Sequence, residues 1–275
     1  MRLKNILIAL CAFFSFVACS TIDEDERLIF VEHKELQDSV TAGRFVSTVL
    51  VEDFTGQKCT WCPFGTRVLE QQIELYGAQR VIPVAIHSGP LGYRGTATQV
   101  GLMTDLGVYY WNKNGFTNST SQPTAVFNRR TTTDERDAWA ASIYAELERK
   151  VTCGITAQTT YNEETRETTI TVVCQATEAK EAMLQLWLTE SGITAMQIDN
   201  GETKRDYVHN HILRDAINGQ DGETITLGAE PTTRTFTYTL PEKCEPANCH
   251  IVAFLYDETG VLQAQSVNCT AAHQP

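Results

Sequence analysis

Cys59 and Cys62 stand two residues apart in the stretch VLVEDFTGQKCTWCP (residues 49–63), directly after an apolar run that ends in Glu52-Asp53. Such a pair can be half of a zinc site, a structural disulfide, or a redox couple that exchanges with other disulfides. A zinc site of this kind needs a second ligand pair. The chain offers only Cys244-x4-Cys249 and a poorly spaced His209-x-His211. A Cys59 in the first turn of a following helix would have its thiolate stabilised by unpaired backbone N–H groups and the helix dipole. Lys58 beside it favours the same charge state.

The elements that must hold this pair are legible around it. Residues 45–53 (FVSTVLVED) are rich in β-formers. Phe64, Val68, Leu69, Ile73 and Tyr76 recur at helical spacing and Gly77 supplies a stop. Residues 81–87 (VIPVAIH) are almost continuously apolar, as a buried central strand is. Strand, Cys-x-x-Cys, helix and strand make a βαβ unit, which predicts a parallel pair with a right-handed crossover. The Gly-rich stretch 88–121 contains a predicted helix over 98–110. Pro123 then precedes a short strand, no partner strand for it is legible before Asp134, and a helix is expected over 134–150, capped by Thr133 or Asp134. Its stripe of Trp139, Ile143 and Leu147 reads as core.

From Val151 the texture changes to short β-branched runs at 151–160, 168–176, 183–190, 223–228, 234–240, 250–256 and 261–268, which predict an antiparallel sandwich. A turn centred between Glu163 and Glu164 would set Cys153 opposite Cys174. One centred on Thr259 would set Cys249 opposite Cys269. Both pairs are candidate cross-strand disulfides if their Cα atoms fall in the usual window of about 4.4 to 6.8 Å. Cys244 is then odd, unless it pairs with Cys249. His209 and His211 alternate along a possible strand, as two metal ligands or as packing residues, and His87 ends a strand on the edge where α/β folds place ligands.

The first residues bear on compartment. Residues 1–18 have a basic start (Arg2, Lys4) and an apolar run of about 13 residues, shorter than the roughly 20 that span a bilayer, so they read as a signal peptide. The segment Phe16-Val17-Ala18-Cys19 resembles the lipobox of bacterial lipoproteins, which implies cleavage before Cys19, lipid (palmitate among the acyl chains) on its sulfur, and firm membrane anchoring. The tether at 19–43 begins with a short acidic run that resembles a surface-export signal of some outer-membrane lipoproteins. Loss of Arg2 and Lys4 with the leader moves the formal net charge from -12 to -14, poor equipment for nucleic acid. Beyond the lipidated Cys19 seven cysteines then remain, an odd count.

Residues 44–150 resemble the thioredoxin superfamily. The likeness rests on Asp53-Phe54 six residues ahead of Cys59-Thr-Trp-Cys62-Pro63, and on Pro123-Thr124 opening a later strand. It implies Cys59 as attacking thiol, Cys62 as resolving thiol, Asp53 as proton acceptor for Cys62, and Pro123 as a cis-proline shaping the substrate groove. The whole mature chain is similar to the twenty-eight-kilodalton outer-membrane lipoprotein family. This is carried by Glu52-Asp53-Phe54-Thr55-Gly56, by His87-x-Gly89-Pro90-Leu91, and by Tyr207-Val-His209-Asn-His211-x-Leu213-Arg214 with Asn218-Gly219. The expectation is a lipid-anchored outer-membrane protein with an α/β thioredoxin-like domain (44–150) and an all-β, immunoglobulin-like antiparallel sandwich (151–275). It needs no cofactor and acts on a disulfide-bearing or other protein partner. The alternative is a non-enzymatic, adhesin-type surface protein whose Cys59-Cys62 disulfide is structural.

Overall fold

The computed structural model describes residues 45–270, so the leader, Cys19 and the acidic tether lie outside the described residues. The chain forms strands β1 (Val49–Thr55), β2 (Val81–His87), β3 (Gly95–Thr96), β4 (Gln99–Val100), β5 (Thr124–Phe127), β6 (Thr131–Thr133), β7 (Cys153–Asn162) and β8 (Glu167–Ala176). These are followed by β9 (Lys180–Glu190), β10 (Ile193–Asp199), β11 (Glu202–His209), β12 (Ile212–Ala216), β13 (Glu223–Leu227), β14 (Thr232–Thr239), β15 (Cys249–Asp257) and β16 (Gly260–Asn268). The helices are α1 (Cys62–Tyr76), α2 (Asp105–Lys113) and α3 (Trp139–Leu147).

The βαβ expectation holds: β1 and β2 run parallel, Asp53 beside Ala85 and Thr55 beside His87, with α1 between them in sequence. On the other side of β1 lies β5, antiparallel, and β5 is followed by a partner that the sequence concealed. Strand β6 pairs antiparallel with β5. The turn joining them carries Asn128 and Arg129 at φ 45° and 55°, closed by the Arg130 N–H donating to the Phe127 carbonyl at 2.9 Å. Asn tolerates this left-handed region, but an Asn-Arg pair lacks the glycine that usually announces a hairpin.

Residues before and after 150 share one mixed sheet, ordered β16-β15-β9-β12-β2-β1-β5-β6, with β13 also beside β9. The seam is narrow: Ile212 of β12 pairs with Ala85 of β2, and the Ala85 N–H donates to the His211 carbonyl at 2.8 Å. One apolar cluster crosses this seam on one face, uniting Leu50, Phe54 and Ile86 with Trp187, Leu213 and Phe254. The opposite face of β1 packs Val49 and Val51 against Leu69 of α1 and Trp139 of α3. The change of texture at 150/151 therefore marks a change of strand length and not a break in the sheet. A separate three-stranded sheet, β14-β8-β7, buries Ile155, Ile170 and Val172 in a cluster with Leu184, Leu186 and Ile251 of the large sheet.

Helix α2 begins later than predicted, at Asp105, because Thr104 caps it by accepting the Gly107 N–H. The helix predicted over 134–150 is shorter too. Thr133 accepts the Glu135 N–H in a turn, and a 3-10 turn (Arg136–Ala138) leads into α3. Strand β10 was not predicted, and of β11 and β12 only a possible strand through His209 and His211 was. Their sequence, rich in charge and with period-2 alternation only in part, hides them.

The β7–β8 register corrects one cysteine pairing. Cys153 sits opposite Ala176 and Cys174 opposite Ile155, so the two cysteines are offset by two residues and remain free thiols. The turn is centred one residue later than predicted because Asn162 Oδ1 accepts the N–H groups of both Glu164 and Thr165, and Arg166 takes φ 55°. Cys249 and Cys269 do stand opposite each other as predicted, the Cys269 N–H donating to the Cys249 carbonyl at 2.9 Å, although a bulge at Leu255/Tyr256 moves the turn off Thr259; these two are also free thiols.

Candidate functional site

Strand β1 delivers Thr55 to a tight turn in which Gly56 is required by space: a Cβ there would lie 2.3 Å from the carbonyl oxygen of Leu91. The Lys58 N–H donates to that same oxygen at 3.0 Å, and the Cys59 N–H to the Gly56 carbonyl at 3.0 Å. The turn holds Cys59 ahead of α1, which corrects the expectation that it would lie in the first turn of the helix. Pro63, which has no N–H to satisfy, fits the opening turn, and so the helix begins at Cys62. Cys59 and Cys62 are joined in a disulfide with a Cα separation of 5.4 Å. Lys58 Nζ lies 5.2 Å from the centre of the Tyr93 ring.

The Gln122–Pro123 peptide is cis. It brings the Gln122 carbonyl oxygen to 3.3 Å from Cys59 Sγ. Asp53, on the α1 side of β1 by alternation from Val49 and Val51, is 2 % exposed, and its Oδ1 has no hydrogen-bond partner. Burial lifts its pKa from 3.8 to about 7. Cys59, Cys62 and the Gln122–Pro123 turn thus meet at the start of α1, while Asp53 stands two residues before the end of β1.

Three glutamines that sequence reasoning passed over build the frame. Gln122 Nε2 donates to the carbonyls of Thr55 and Ser88, and its Oε1 accepts the Leu91 N–H. Gln57 accepts the Leu102 N–H and donates to the carbonyls of Val100 and Met196. Gln197, from β10, donates to the carbonyls of Gly56 at 3.2 Å and Cys59 at 2.9 Å. The β10–β11 hairpin adds the Ile198 N–H to the Gln57 carbonyl and the Asn200 N–H to the Thr60 carbonyl. Consequently Cys59 and Cys62 are only 1 % and 2 % exposed, whereas Trp61 between them is 54 % exposed. The Arg136 guanidinium lies over the Trp61 and Phe64 rings at 5.3 and 5.6 Å.

A small polar cavity beside the disulfide is lined by Thr55, Cys62, His87, Gln197, Tyr207 and His209 among others. The rings of His87 and His209 stand 5.4 Å apart, each with one buried nitrogen lacking a partner. Burial lowers the pKa of His209 to about 4 and that of His87 well below its ordinary value, so both are neutral near pH 7. His209 and His211 do not share a face as predicted. Strand β11 ends at His209, and His211 turns away at φ 58° with its N–H donated to Ser191 Oγ. No group of three metal-ligating side chains forms around His209 and His211 among the described residues.

The fold and the site define a β-rich protein in which a mixed sheet carries a buried disulfide at the start of a helix. The chain belongs to the family described as outer membrane protein Omp28, whose model matches residues 113–272. That match takes in Pro123 and the Tyr207–Gly219 motif but begins after Cys59-Cys62. Among solved structures, the fold is similar to HBP35 of Porphyromonas gingivalis, with a TM-score of 0.64 and 16% identity, covering 85% of this chain and 79% of that one. It is also similar to a structural-genomics protein of Agrobacterium tumefaciens, with a TM-score of 0.53 and 14% identity, covering 84% of this chain and 98% of that one. At such identities the likeness concerns the fold. No curated protein matches the chain.

Proposed function

We propose that the chain is a lipid-anchored outer-membrane protein in which a thioredoxin-like unit, continuous with an immunoglobulin-like sandwich, carries out thiol-disulfide exchange on envelope or surface proteins. The observation that carries this is Asp53. A buried carboxyl with an unpartnered oxygen costs stability and does no packing work, while a pKa near 7 suits a group that takes and returns a proton at neutral pH. In the reduced protein, the Cys59 thiolate attacks a substrate disulfide and one substrate thiolate leaves. Asp53 takes the Cys62 proton, and the Cys62 thiolate attacks Cys59. The second substrate thiolate leaves and the Cys59-Cys62 disulfide is restored. A thiol donor must then reduce it again. The Gln122 carbonyl, 3.3 Å from Cys59 Sγ ahead of Pro123, supports a groove there for a substrate backbone.

One observation favours the second reading, a non-enzymatic surface-binding protein with a structural disulfide: both sulfurs lie beneath the β10–β11 hairpin. In the exchange reading the hairpin must lift. Cys62→Ser is therefore expected to accumulate mixed disulfides with envelope proteins through Cys59. The wild-type pair is expected to have a potential above about -300 mV, the region below which disulfides resist reduction. Gln197→Ala, which removes the donor to the Cys59 carbonyl, should speed reduction by dithiothreitol about fivefold, the worth of roughly 1 kcal/mol of hydrogen bonding. No trapped species together with a potential below that limit would leave the structural reading standing. The anchor has its own test: Cys19→Ala should abolish lipid labelling and membrane retention, and unchanged retention would overturn it.

A further inference from the structure

The five described cysteines outside the Cys59-Cys62 disulfide are all buried thiols, and three of them meet at one place in the fold. Cys249 opens β15 directly across from Glu190, and its carbonyl accepts the Cys269 N–H. Cys244 comes from the connection 241–248. There its N–H donates to the Pro241 carbonyl at 2.9 Å, and its side chain is buried while its neighbours Lys243 and Glu245 are exposed. The sulfurs of Cys244 and Cys249 and a carboxylate oxygen of Glu190 lie within 4.8 Å of one another.

This grouping could hold a cation or close as a disulfide, and the surroundings favour the disulfide. Glu190 is already satisfied: Arg214 Nε lies 3.2 Å from one of its oxygens, and the Glu245 N–H donates to the other at 2.9 Å. A metal would have to compete with that guanidinium. An outer-membrane protein also passes through an oxidising compartment, where facing thiols pair.

We propose that Cys244 and Cys249 form a second disulfide, which ties the 241–248 connection to the start of β15 and leaves Cys269 as a neighbouring free thiol. Cys269 is the competing partner, since it stands directly across from Cys249. Two observations decide for Cys244. Its sulfur lies within 4.8 Å of that of Cys249, whose S–H steadies a thiolate on Cys244 and moves its pKa down, whereas burial pushes Cys269 up to about 12. Cys244 also lies on a connection between the exposed Lys243 and Glu245, while Cys269 is wholly buried just past the end of β16. The thiolate is the species that attacks. With oxidised glutathione as the oxidant, Cys244 attacks one glutathione sulfur and the other leaves as a thiolate. Cys249 then attacks the Cys244 sulfur of the mixed disulfide and expels the second glutathione. Two electrons pass to glutathione, and two protons end on its two thiols.

The proposal does not depend on any reactivity at Cys59-Cys62. It is tested on the full mature chain, incubated with oxidised glutathione, denatured, alkylated and mapped without reduction. The fragment spanning Cys244 to Tyr256 should carry no alkyl group and be lighter by two hydrogens than the free dithiol, with proline-specific cleavage after Pro246 leaving its two pieces joined. Cys269 should be alkylated. A Cys249-Cys269 cross-link, or alkylation of both Cys244 and Cys249, would overturn the proposal. So would one equivalent of zinc per chain bound by the reduced pair. Cys244→Ser, a near-isosteric change, should leave Cys249 fully alkylated, and a Cys249 still blocked in that variant would also overturn it.

Discussion

Replacing Asp53 by Asn is expected to make the protein more stable above pH 7 and to leave its stability near pH 4 almost unchanged. The carboxyl titrates at 3.8 in an ordinary setting and at about 7 in the fold, where burial disfavours the charged form. Between these values the folded state holds a proton that the unfolded state has released. Wild-type stability must therefore fall as pH rises from about 4 to about 7 and then level off. At about 1.4 kcal/mol per pH unit, the loss amounts to roughly 4 kcal/mol. Asparagine keeps the shape and cannot ionise, so its curve should lack this fall. Urea midpoints of the two proteins across that pH range would check it, and parallel curves would show that Asp53 is not held neutral by the fold. The same substitution should slow resolution by Cys62 if Asp53 takes its proton, which separates the stability cost from the chemical use.

A second large effect is expected at Arg129. Its Nε lies 2.6 Å from Glu52 Oε1, and Glu52 is 1 % exposed on β1. The guanidinium also faces the rings of Trp187, Phe254 and Tyr256 at 5.6, 5.0 and 4.5 Å. Arg129→Ala leaves the Glu52 charge buried without its partner and removes the cation from those aromatic faces. Loss of about 3 to 5 kcal/mol is expected, the usual cost of breaking a buried pair from one side. Because Glu52 and Arg129 come from the β1–β5–β6 region while the rings come from β9 and β15, unfolding should lose stability as one unit. Arg129→Ala combined with Glu52→Gln should recover a large part of the loss. A single-variant change within 0.5 kcal/mol of wild type would show the pair to be dispensable.

The prominence of Arg129 also shows where sequence reading stops. Nothing in Asn-Arg-Arg announces that the middle residue will bridge β1 and three aromatic rings, since that depends on which strands lie next to each other. The β5–β6 hairpin was concealed for a related reason: its turn uses two non-glycine residues at positive φ. Gln57, Gln122 and Gln197 look like ordinary surface amides in the sequence, yet each is buried to satisfy backbone groups of the turn around Cys59. A glutamine's amide can serve anywhere that leaves carbonyls and N–H groups unpaired, and loops make such places only once folded.

Local chemistry determined a good deal. The βαβ unit, the cysteine pair after β1, the acid at Asp53, the proline ahead of β5 and most strands after 150 follow from periodicity, turn residues and spacing, all of which act over a few residues. Tertiary structure decided the rest. It joined both halves in one sheet through the Ile212–Ala85 seam, shifted Cys153 away from Cys174, parted His209 from His211 and brought His209 to His87, and laid the β10–β11 hairpin over Cys59. The Cys153 offset and the turn at His211 are set within some twenty residues, but the seam, the His87–His209 pair and the covering hairpin depend on contacts between residues more than a hundred positions apart. Their energies are set by burial and by the satisfaction of backbone groups, which no local pattern along the chain encodes.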